Sequence, residues 1–267
     1  MKSTVLMRGG GDLASGVAVQ LKRAGINVII TELEQPLVVR RLVSFAQAVF
    51  TGTCNVEEFT GHLVKDWGQA ETVWHDGDIP VLVDPKAELL GAFKPNVLVD
   101  ARMTKLPPET GKEAAAMVIG LGPGFVAGEN CHAVIETVRG RSLGQVIWSG
   151  AARPNTGMPG LVGRHSLDRV LRAPADGELI AHAQICDVLK RGELIAEVAD
   201  IKVTAPFDGV LRGLIYPGLQ VKTGLKIGDM DARDNPRACT IVSDKALAIG
   251  NGVLEAILAR QETKENR

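Results

Sequence analysis

The sequence predicts an α/β domain of the nucleotide-binding type, followed by a smaller and mostly-β domain. The prediction for the first half is based on a glycine-rich turn after a short apolar strand, and on further buried strands that alternate with helical segments. The prediction for the second half is based on an internal repeat near the C-terminus. The expected units are an α/β domain over residues 1–150, a Gly- and Pro-rich linker over 151–168, a β domain over 169–235, and a segment with a closing helix over 236–267.

The chain begins with a strand, a glycine turn and a helix. The turn contains Gly9-x-Gly11-x-x-Ala14, which is the dinucleotide fingerprint with alanine at its third position. Gly9 permits a tight turn, Gly11 lets the backbone approach a phosphate, and the helix N-terminus attracts the anion. A Rossmann-like domain with a bound nucleotide is one interpretation, and glycines that only form the turn are the alternative. The candidate ligand-binding residues of this stretch are Gly9, Gly10, Gly11, Asp12, Ala14, Ser15 and Gly16.

An acidic residue follows the second strand. Residues 27–31 form a continuous run typical of a strand buried on both faces, and the run ends at Glu32. In nucleotide-binding folds, an acid about 20 residues after the glycines binds a ribose hydroxyl. Because its carboxylate would repel a 2′-phosphate, Glu32 favours an NAD-like ligand over NADP.

Two later strands also end in charged residues. Residues 79–85 indicate a strand that ends at Asp84 and a proline, and residues 96–102 indicate a buried strand that includes Asp100 and Arg102. Since ligands of open α/β sheets bind beyond the carboxyl ends of the strands, these side chains are expected to converge near the glycine turn. Asp100 and Arg102 are further candidates for ligand binding, and a structural ion pair is the alternative.

Between these strands the pattern predicts two more helices and a short strand. A helix that begins at Pro36 would carry Arg40, which could clamp a phosphate or carboxylate or belong to a solvated face. Residues 48–50 suggest a strand, and residues 56–68 suggest an amphipathic helix.

Cys131 and His132 are the candidate catalytic residues. Adjacent residues on a strand face opposite ways, so the two form a nucleophile–base pair only if they lie in a loop. A packing cysteine and a hydrogen-bonded histidine are the alternative. His165, just after the linker glycines, is a further ligand-facing candidate.

The C-terminal half contains a repeat of about 32 residues. Residues 173–177 read Ala-Pro-Ala-Asp-Gly, and residues 205–209 read Ala-Pro-Phe-Asp-Gly. The two units resemble the biotinyl/lipoyl carrier domain, a barrel-sandwich hybrid of the hammerhead type. At the position of the carrier lysine stands Lys202, without the Met-Lys-Met signature of that family. We therefore expect no biotin or lipoate, and a barrel that binds a partner or covers the nucleotide domain.

Composition excludes several classes of function. The formal net charge of −1 and the aromatic content of 4% argue against a nucleic-acid partner. No apolar run is long enough to span a membrane, and no secretory signal is recognised. The four scattered cysteines indicate a reducing cytoplasm and suggest neither disulfides nor a metal site.

The whole chain resembles the YqeB family, accessory proteins of selenium-dependent molybdenum hydroxylases. The resemblance implies a role in the maturation of a molybdenum enzyme and a Rossmann-like domain akin to that of XdhC-type insertion factors, without a settled reaction. It is carried by residues 8–12 (Arg-Gly-Gly-Gly-Asp), 40–45 (Arg-Arg-Leu-Val-Ser-Phe), 120–125 (Gly-Leu-Gly-Pro-Gly-Phe), 131–137 (Cys-His-Ala-Val-Ile-Glu-Thr), 154–160 (Pro-Asn-Thr-Gly-Met-Pro-Gly) and 243–246 (Ser-Asp-Lys-Ala).

Three hypotheses follow. The first is a nucleotide-binding maturation factor that handles molybdenum cofactor or its sulfur or selenium ligand. It would bind an NAD-like nucleotide or molybdopterin dinucleotide at the glycine turn, and Cys131 would carry the sulfur or selenium. Its partners would be a molybdenum hydroxylase and the assembly proteins of that enzyme. The second is an NAD-dependent oxidoreductase of a small acid or aldehyde, with His132 or His165 as acid–base. The third is a noncatalytic adaptor that docks a partner enzyme. The oligomeric state stays open.

Overall fold

The structure is a computed structural model that describes residues 4–104, 106–154 and 168–265. Most of the predicted linker lies outside these ranges, and so does His165. Within them the chain forms one large sheet with its helices, and a second unit made of two smaller sheets.

The large sheet has nine strands in the order β10-β9-β7-β6-β1-β2-β5-β4-β3. Neighbouring strands from β9 to β4 run parallel, while β10 and β3 pair antiparallel at the two edges. The predicted strands over 27–31, 79–85 and 96–102 are confirmed as β2, β5 and β6, although β5 ends at Val83 and β6 at Asp100. The nine strands are β1 Thr4–Arg8, β2 Asn27–Glu32, β3 Thr53–Val56, β4 Phe59–Val64, β5 Ile79–Val83, β6 Val97–Asp100, β7 Met117–Leu121, β9 Ala133–Ile135 and β10 Val146–Ile147. Beside this sheet, β8 Val126–Ala127 and β11 Gly150–Ala151 form a two-stranded ribbon.

Both faces of the large sheet are buried, as expected for parallel strands. Val5 and Met7 of β1 pack in the cluster formed by α1 (Asp12–Arg23) and α5 (Asp244–Glu265). Leu6 lies on the other face, in the cluster beside α3 (Trp67–His75). Two shorter helices are α2 (Ala48–Thr51) and α4 (Leu89–Ala92). Short 3-10 helices cover Arg41–Val43, Phe45–Gln47, Lys112–Ala114 and Pro236–Cys239.

The repeat is visible in the second unit. Each repeat supplies four strands, and each of the two antiparallel sheets takes two strands from either repeat, in the orders β12-β19-β17-β14 and β16-β15-β13-β18. The Lys–Asp ion pairs follow the same symmetry: Lys190 contacts Asp208 at 3.0 Å, and Lys222 contacts Asp176 at 2.7 Å. The strands are β12 Val170–Arg172, β13 Gly177–Ala181, β14 Val188–Leu189, β15 Leu194–Val198, β16 Ile201–Thr204, β17 Gly209–Leu214, β18 Gln220–Val221 and β19 Lys226–Asp231.

The predicted fold class, a Rossmann-like domain followed by a barrel-sandwich hybrid of the hammerhead type, is wrong. The large sheet is mixed, the second unit consists of two separate antiparallel sheets, and the C-terminal helix α5 returns to pack against α1. Three segments were misread. Residues 48–50, expected as a strand, lie in the helix α2. Residues 56–68, expected as a helix, contain the hairpin strand β4, and the segment after Pro36 forms only 3-10 turns before the short helix α2.

The closing helix is confirmed. α5 begins at Asp244, and the Ser243 hydroxyl accepts a hydrogen bond from the Ala246 amide at 3.2 Å. Within the described ranges, no helix combines the length and the apolarity needed to cross a bilayer.

Candidate functional site

A cleft of about 350 Å³ lies at the carboxyl ends of β1, β2, β5 and β6. The strand β1 connects to β2 on one side and is bordered by β6 on the other, so the strand order reverses there, which is where open α/β sheets bind ligands. We call this cleft, with the residues that line it, the first cleft. They are Arg8, Gly9, Gly11, Thr31, Glu32, Leu33, Pro36, Leu37, Val38, Asp84, Pro85, Ala101, Arg102 and Thr104.

The convergence expected from the sequence is confirmed. Glu32, Asp84 and Arg102 line the same cleft as Gly9 and Gly11. Asp100 lies directly behind it, 2% exposed, where it holds Arg102. Because the carboxyl ends of neighbouring parallel strands lie at one edge of the sheet, the charged residues that end or follow β2, β5 and β6 lie close to the glycine turn that follows β1.

The three glycines of the turn have different roles. Gly9 adopts a φ of +93°, the tight turn that the sequence predicted. A Cβ on Gly10 would lie 2.9 Å from the Ala46 amide nitrogen, so Gly10 is required by packing of the turn against the chain behind it. A Cβ on Gly11 would meet only Val38 Cγ1, at 3.5 Å. Gly11 is therefore the position at which a ligand can approach the backbone.

The helix α1 begins beside this opening. Gly11 is its N-cap residue and provides no side-chain cap for the first amides, so these N–H groups keep their capacity to bind an anion. The next candidates support the turn from behind. Ser15, fully buried, donates to the Gly10 carbonyl at 3.1 Å and accepts from the Phe45 amide at 2.8 Å. Ala14 is buried in the core, and Gly16 packs against Ala246 of α5.

Glu32 is held by the backbone at the edge of the cleft. Its carboxylate accepts from the Gly10 amide and from the Leu33 amide, each at 2.7 Å. Burial raises the pKa of the Glu32 carboxyl above its ordinary value, although the two amides act to lower it. Each oxygen keeps a further lone pair, which a ligand hydroxyl could use.

Arginines form the charged wall of the cleft. Arg102 makes a bidentate contact with Asp100, Nε to Oδ1 at 3.0 Å and Nη2 to Oδ2 at 2.6 Å, and also donates to Glu109 at 2.7 Å. Burial acts to lower the pKa of Arg102, but these carboxylates raise it overall; in turn, the hydrogen bond from Arg102 lowers the pKa of Glu109 to about 2. Arg8, 3% exposed, donates to the Pro85 carbonyl at 3.0 Å. Both cations are thus fixed in place before any ligand binds.

The rest of the cleft is apolar or already engaged. Asp84 accepts from the Glu88 and Leu89 amides, at 2.8 and 2.9 Å, and so caps the short helix α4. Leu33 and Leu37 are 48% and 45% exposed at the rim, and together they offer apolar surface to a ring.

Arg40 does not line the first cleft. Its guanidinium contacts Asp12 at 2.9 Å and donates to the carbonyls of Ala238 and Ile241, each at 3.0 Å. The predicted helix that would have directed it to the glycine turn is absent, so Arg40 and Asp12 face the C-terminal half instead. Asp12 is likewise outside the residues that line the first cleft.

Cys131 and His132 are also placed away from the first cleft. Cys131 is fully buried in the apolar cluster on the α3 face of the sheet, and burial raises the pKa of its thiol to about 11. Such a thiol is not a thiolate near neutral pH. The His132 ring accepts from the Val118 amide through Nδ1 at 2.9 Å, and burial lowers its pKa. The environment corresponds to the alternative of a packing cysteine and a hydrogen-bonded histidine.

Sequence reasoning did not propose Arg8 or Glu109. The sequence did mark Arg8 as a candidate site residue, because a charged residue that ends a continuous apolar strand usually lies at the edge of the sheet. Glu109 lies in a loop, and no pattern marked it. Among the described residues, no group of three or more His, Cys, Asp or Glu side chains is arranged to hold a metal ion.

Comparison with known proteins gives one clear sequence match. The chain is 48% identical over 254 residues to the uncharacterized protein YqeB of Escherichia coli strain K12. The chain is therefore similar to YqeB over nearly its whole length. The match covers 95% of this chain but 47% of YqeB, so the chain spans about half the length of this relative. The sequence resemblance to YqeB is thereby confirmed, and no family model matches the chain.

Solved structures give only weak similarities. An aspartoacylase family protein from Mesorhizobium loti aligns over 88% of this chain and 86% of its own, with 10% identity and a TM-score of 0.27. A succinylglutamate desuccinylase from Silicibacter sp. TM1040 aligns over 87% and 86%, with 13% identity and a TM-score of 0.27. A succinylglutamate desuccinylase/aspartoacylase from Rhodobacter sphaeroides aligns over 88% and 87%, with 14% identity and a TM-score of 0.29. Similarities of this size carry no argument about this chain.

Proposed function

We propose that the chain binds a phosphate-bearing nucleotide or pterin ligand in the first cleft and acts as an accessory factor in the maturation of molybdenum hydroxylases. An NAD-like nucleotide and molybdopterin dinucleotide are the ligands considered. The observation that carries the proposal is the opening at Gly11, which has room beside an uncapped helix N-terminus and shares a cleft with Arg102.

The phosphate would bind between Gly11 and Arg102. The first amides of α1 supply N–H donors and the positive end of the helix dipole, and Arg102, which lies beside Gly9, supplies a guanidinium in the same cleft. Because Arg102 is already ordered by Asp100 and Glu109, a ligand does not have to immobilise a free side chain. The residues present therefore fit a phosphate group.

The cleft also suits the remainder of such a ligand. Leu33, Leu37 and Pro85 provide apolar surface for a heterocyclic ring, and Glu32 provides an acceptor for a hydroxyl. A volume of about 350 Å³ is near the lower end of ligand pockets, which run from roughly 300 to 1,000 Å³. The cleft would hold one nucleotide-sized half of a dinucleotide, with the other half outside.

The role in maturation is supported by the sequence resemblance to the YqeB family alone. A molybdenum hydroxylase and its assembly proteins as partners, and a cytoplasmic location, are parts of the same proposal. The transfer of sulfur or selenium by Cys131 is not part of it, because the thiol is buried and has a raised pKa.

The oxidoreductase hypothesis is weaker on this geometry. It needs an acid–base side chain beside the cofactor, and no histidine of the described ranges lines the first cleft. The adaptor hypothesis makes a different prediction, since it requires that partner binding survive a damaged cleft. A pull-down of a molybdenum hydroxylase with wild-type protein and with Gly11→Asp separates it from the proposal.

Isothermal titration calorimetry with NAD, ATP and CTP tests the proposal. The informative variant is the double replacement Asp100→Asn with Arg102→Gln, because it removes both members of the ion pair. The buried Arg8, which also approaches Asp100 at 4.0 Å, keeps Glu109 as a carboxylate partner at 3.3 Å. We expect the affinity for the bound nucleotide to fall by roughly tenfold or more, the effect of losing one charged hydrogen bond. Arg23→Gln is the matched control, since Arg23 pairs with Glu58 at the far end of α1. Equal affinity of the double variant and the control would overturn the assignment of Arg102.

A further inference from the structure

A second cleft, of about 450 Å³, lies where the two units of the chain meet. Four arginines line it: Arg40 and Arg139 from the large-sheet unit, and Arg212 and Arg233 from the second unit or directly after it. We name it the second cleft. Its remaining lining residues are Asn235, Ala238, Ile241, Val242, Ser243 and Asp244.

We propose that the second cleft is a binding site for a phosphate group, separate from the first cleft and independent of the function proposed there. Guanidinium groups bind phosphate oxygens through paired, planar N–H donors, and four such groups around one cleft exceed what a single carboxylate ligand could use. The ligand class is a phosphorylated small molecule or inorganic diphosphate.

The arginines of the second unit are fixed by buried carboxylates. Arg212 contacts Asp229, and it approaches Asp231 at 3.5 Å. Arg233 contacts Asp231 at 2.6 Å. Both aspartates are only 1% exposed, so they act from behind the cleft wall and leave the guanidinium groups at its surface. The geometry is thus ordered before a ligand arrives.

Arg40 supplies an independent observation. Its side chain is 8% exposed, its terminal nitrogens contact Asp12 and two backbone carbonyls, and its Nε is buried without a hydrogen-bond partner. Buried polar atoms in proteins nearly always have a partner, and an exception in a cleft wall calls for an explanation. A bound anion near this guanidinium would offset the cost of the unsatisfied N–H.

The balance of charge around the second cleft also favours an anion. The four arginines are contacted by four carboxylates, those of Asp12, Asp229, Asp231 and Asp244. Three further cations and one further carboxylate lie nearby. Lys226 approaches Asp229 at 3.8 Å, Arg169 also contacts Asp229, and Lys245 lies near both Arg139 and Glu136, so the positive charges still outnumber the negative ones. The helix α5 begins at Asp244 in the same wall and adds the positive end of its dipole.

One carboxylate opposes the anion. Asp244 lines the second cleft and holds Arg139 through two hydrogen bonds of 2.7 and 2.9 Å. Since the Asp244 side chain is 76% exposed, it can turn away when a phosphate takes over its contact with Arg139. Loss of the Arg139 contact should raise the pKa of Asp244, and this change is specific for a ligand in the second cleft.

Calorimetric titration of the full chain with inorganic phosphate and with pyrophosphate tests the proposal. We expect the wild-type protein to bind pyrophosphate more tightly than phosphate, and the double variant Arg139→Gln with Arg233→Gln to lose roughly tenfold or more in affinity. Both side chains are more than half exposed, at 51% and 56%, so the variant is expected to fold, which thermal unfolding checks. The double variant with lysine at both positions should recover part of the affinity, because it keeps the charge but not the planar donors.

Two controls separate the second cleft from the first. Arg23→Gln, at the far end of α1, should leave pyrophosphate binding unchanged. Because the first cleft is itself proposed to bind a phosphate, the titrations are repeated in the Gly11→Asp background, where pyrophosphate should still bind and the loss caused by Arg139→Gln with Arg233→Gln should persist. If the wild-type protein binds neither anion, if the glutamine variant binds as tightly as wild type, or if Gly11→Asp abolishes the binding, the proposal is overturned. Failure of nucleotide binding in the first cleft would not affect any of these outcomes.

Discussion

The contact between α1 and α5 depends on a glycine that the sequence had suggested as a ligand-binding residue. A Cβ added at Gly16 would lie 2.5 Å from Ala246 Cβ and 2.7 Å from the Ala246 carbonyl carbon. Both distances are far below van der Waals contact, and the second involves backbone, which cannot rotate away. Gly16→Ala therefore tests whether Gly16 serves packing.

Two opposing effects decide the result. Alanine is a better helix former than glycine by about 1 kcal/mol, which would stabilise α1. Overpacking a tight interior typically costs about 1–3 kcal/mol. The helices cannot simply separate around Gly16, because Gly250 is equally close: a Cβ there would lie 2.8 Å from the Gly16 carbonyl oxygen. We expect the upper part of the overpacking range and a net loss of about 1–2 kcal/mol in the free energy of unfolding.

The loss is measurable by thermal and urea unfolding. For a chain of this size, about 1 kcal/mol corresponds to roughly 2–4 °C in the melting temperature. Gly91→Ala is the matched control, because Gly91 lies in α4 and a Cβ there would meet nothing within 4 Å. The control should be as stable as wild type or slightly more so. If Gly16→Ala behaves like Gly91→Ala, the described packing of α1 on α5 is incorrect.

Two further predictions concern single ionisable groups. In the native protein at pH 8, iodoacetamide should leave Cys131 unmodified, because the thiol is buried and its pKa is raised to about 11; rapid alkylation seen by mass spectrometry would contradict this placement. The pKa of Asp244 is lowered from 3.8 to about 2, chiefly by the hydrogen bond from Arg139. The stability that the Asp244 carboxylate contributes is therefore present above pH 3.8 and is lost as the pH falls toward 2. Arg139→Gln should bring the Asp244 pKa, measured by NMR titration, back toward 3.8, and an unchanged value would show that the ion pair does not form in solution.

Much of the large sheet could be predicted from the sequence. Continuous β-branched runs, such as residues 27–31, have few alternatives to a buried strand, and their ends are marked by charged residues. The Gly9 turn and the Ser243 cap were predictable for a similar reason, since each depends on local chemistry alone. The convergence of Glu32 and Arg102 followed from the strands, because parallel strands bring their carboxyl ends together.

The sequence-based prediction of secondary structure was wrong where the local hydrophobic pattern is compatible with both a helix and a strand. Residues 56–68 have an apolar spacing compatible with a helix, but Glu57 adopts a φ of +52° in a tight turn, and the flanking residues pair as β3 and β4. Pairing with the parallel strand β5, a contact distant in sequence, decides between the two. Hydrophobic periodicity cannot detect such a contact.

The position of Arg40 could not be predicted for another reason. Its partners Ala238 and Ile241 lie about 200 residues away, and they approach it only because the second unit packs on the large sheet. The second cleft depends on the same contact. A site formed between two units leaves no spacing signal in either of them, whereas the first cleft is built within one sheet.

The most direct test of the central claim is a titration of wild-type protein and Gly11→Asp with NAD, ATP, CTP and molybdopterin dinucleotide. Gly11 has a φ of −69° and a ψ of −176° at the N-cap of α1, where aspartate is a favoured residue, so the substitution should not destabilise the fold. It would place a carboxylate at the only glycine of the turn that leaves room for a ligand. We predict that wild type binds at least one of these ligands and that Gly11→Asp does not, with equal or higher melting temperature. Wild-type protein that binds none of the four, or binding that survives in Gly11→Asp, would contradict the claim.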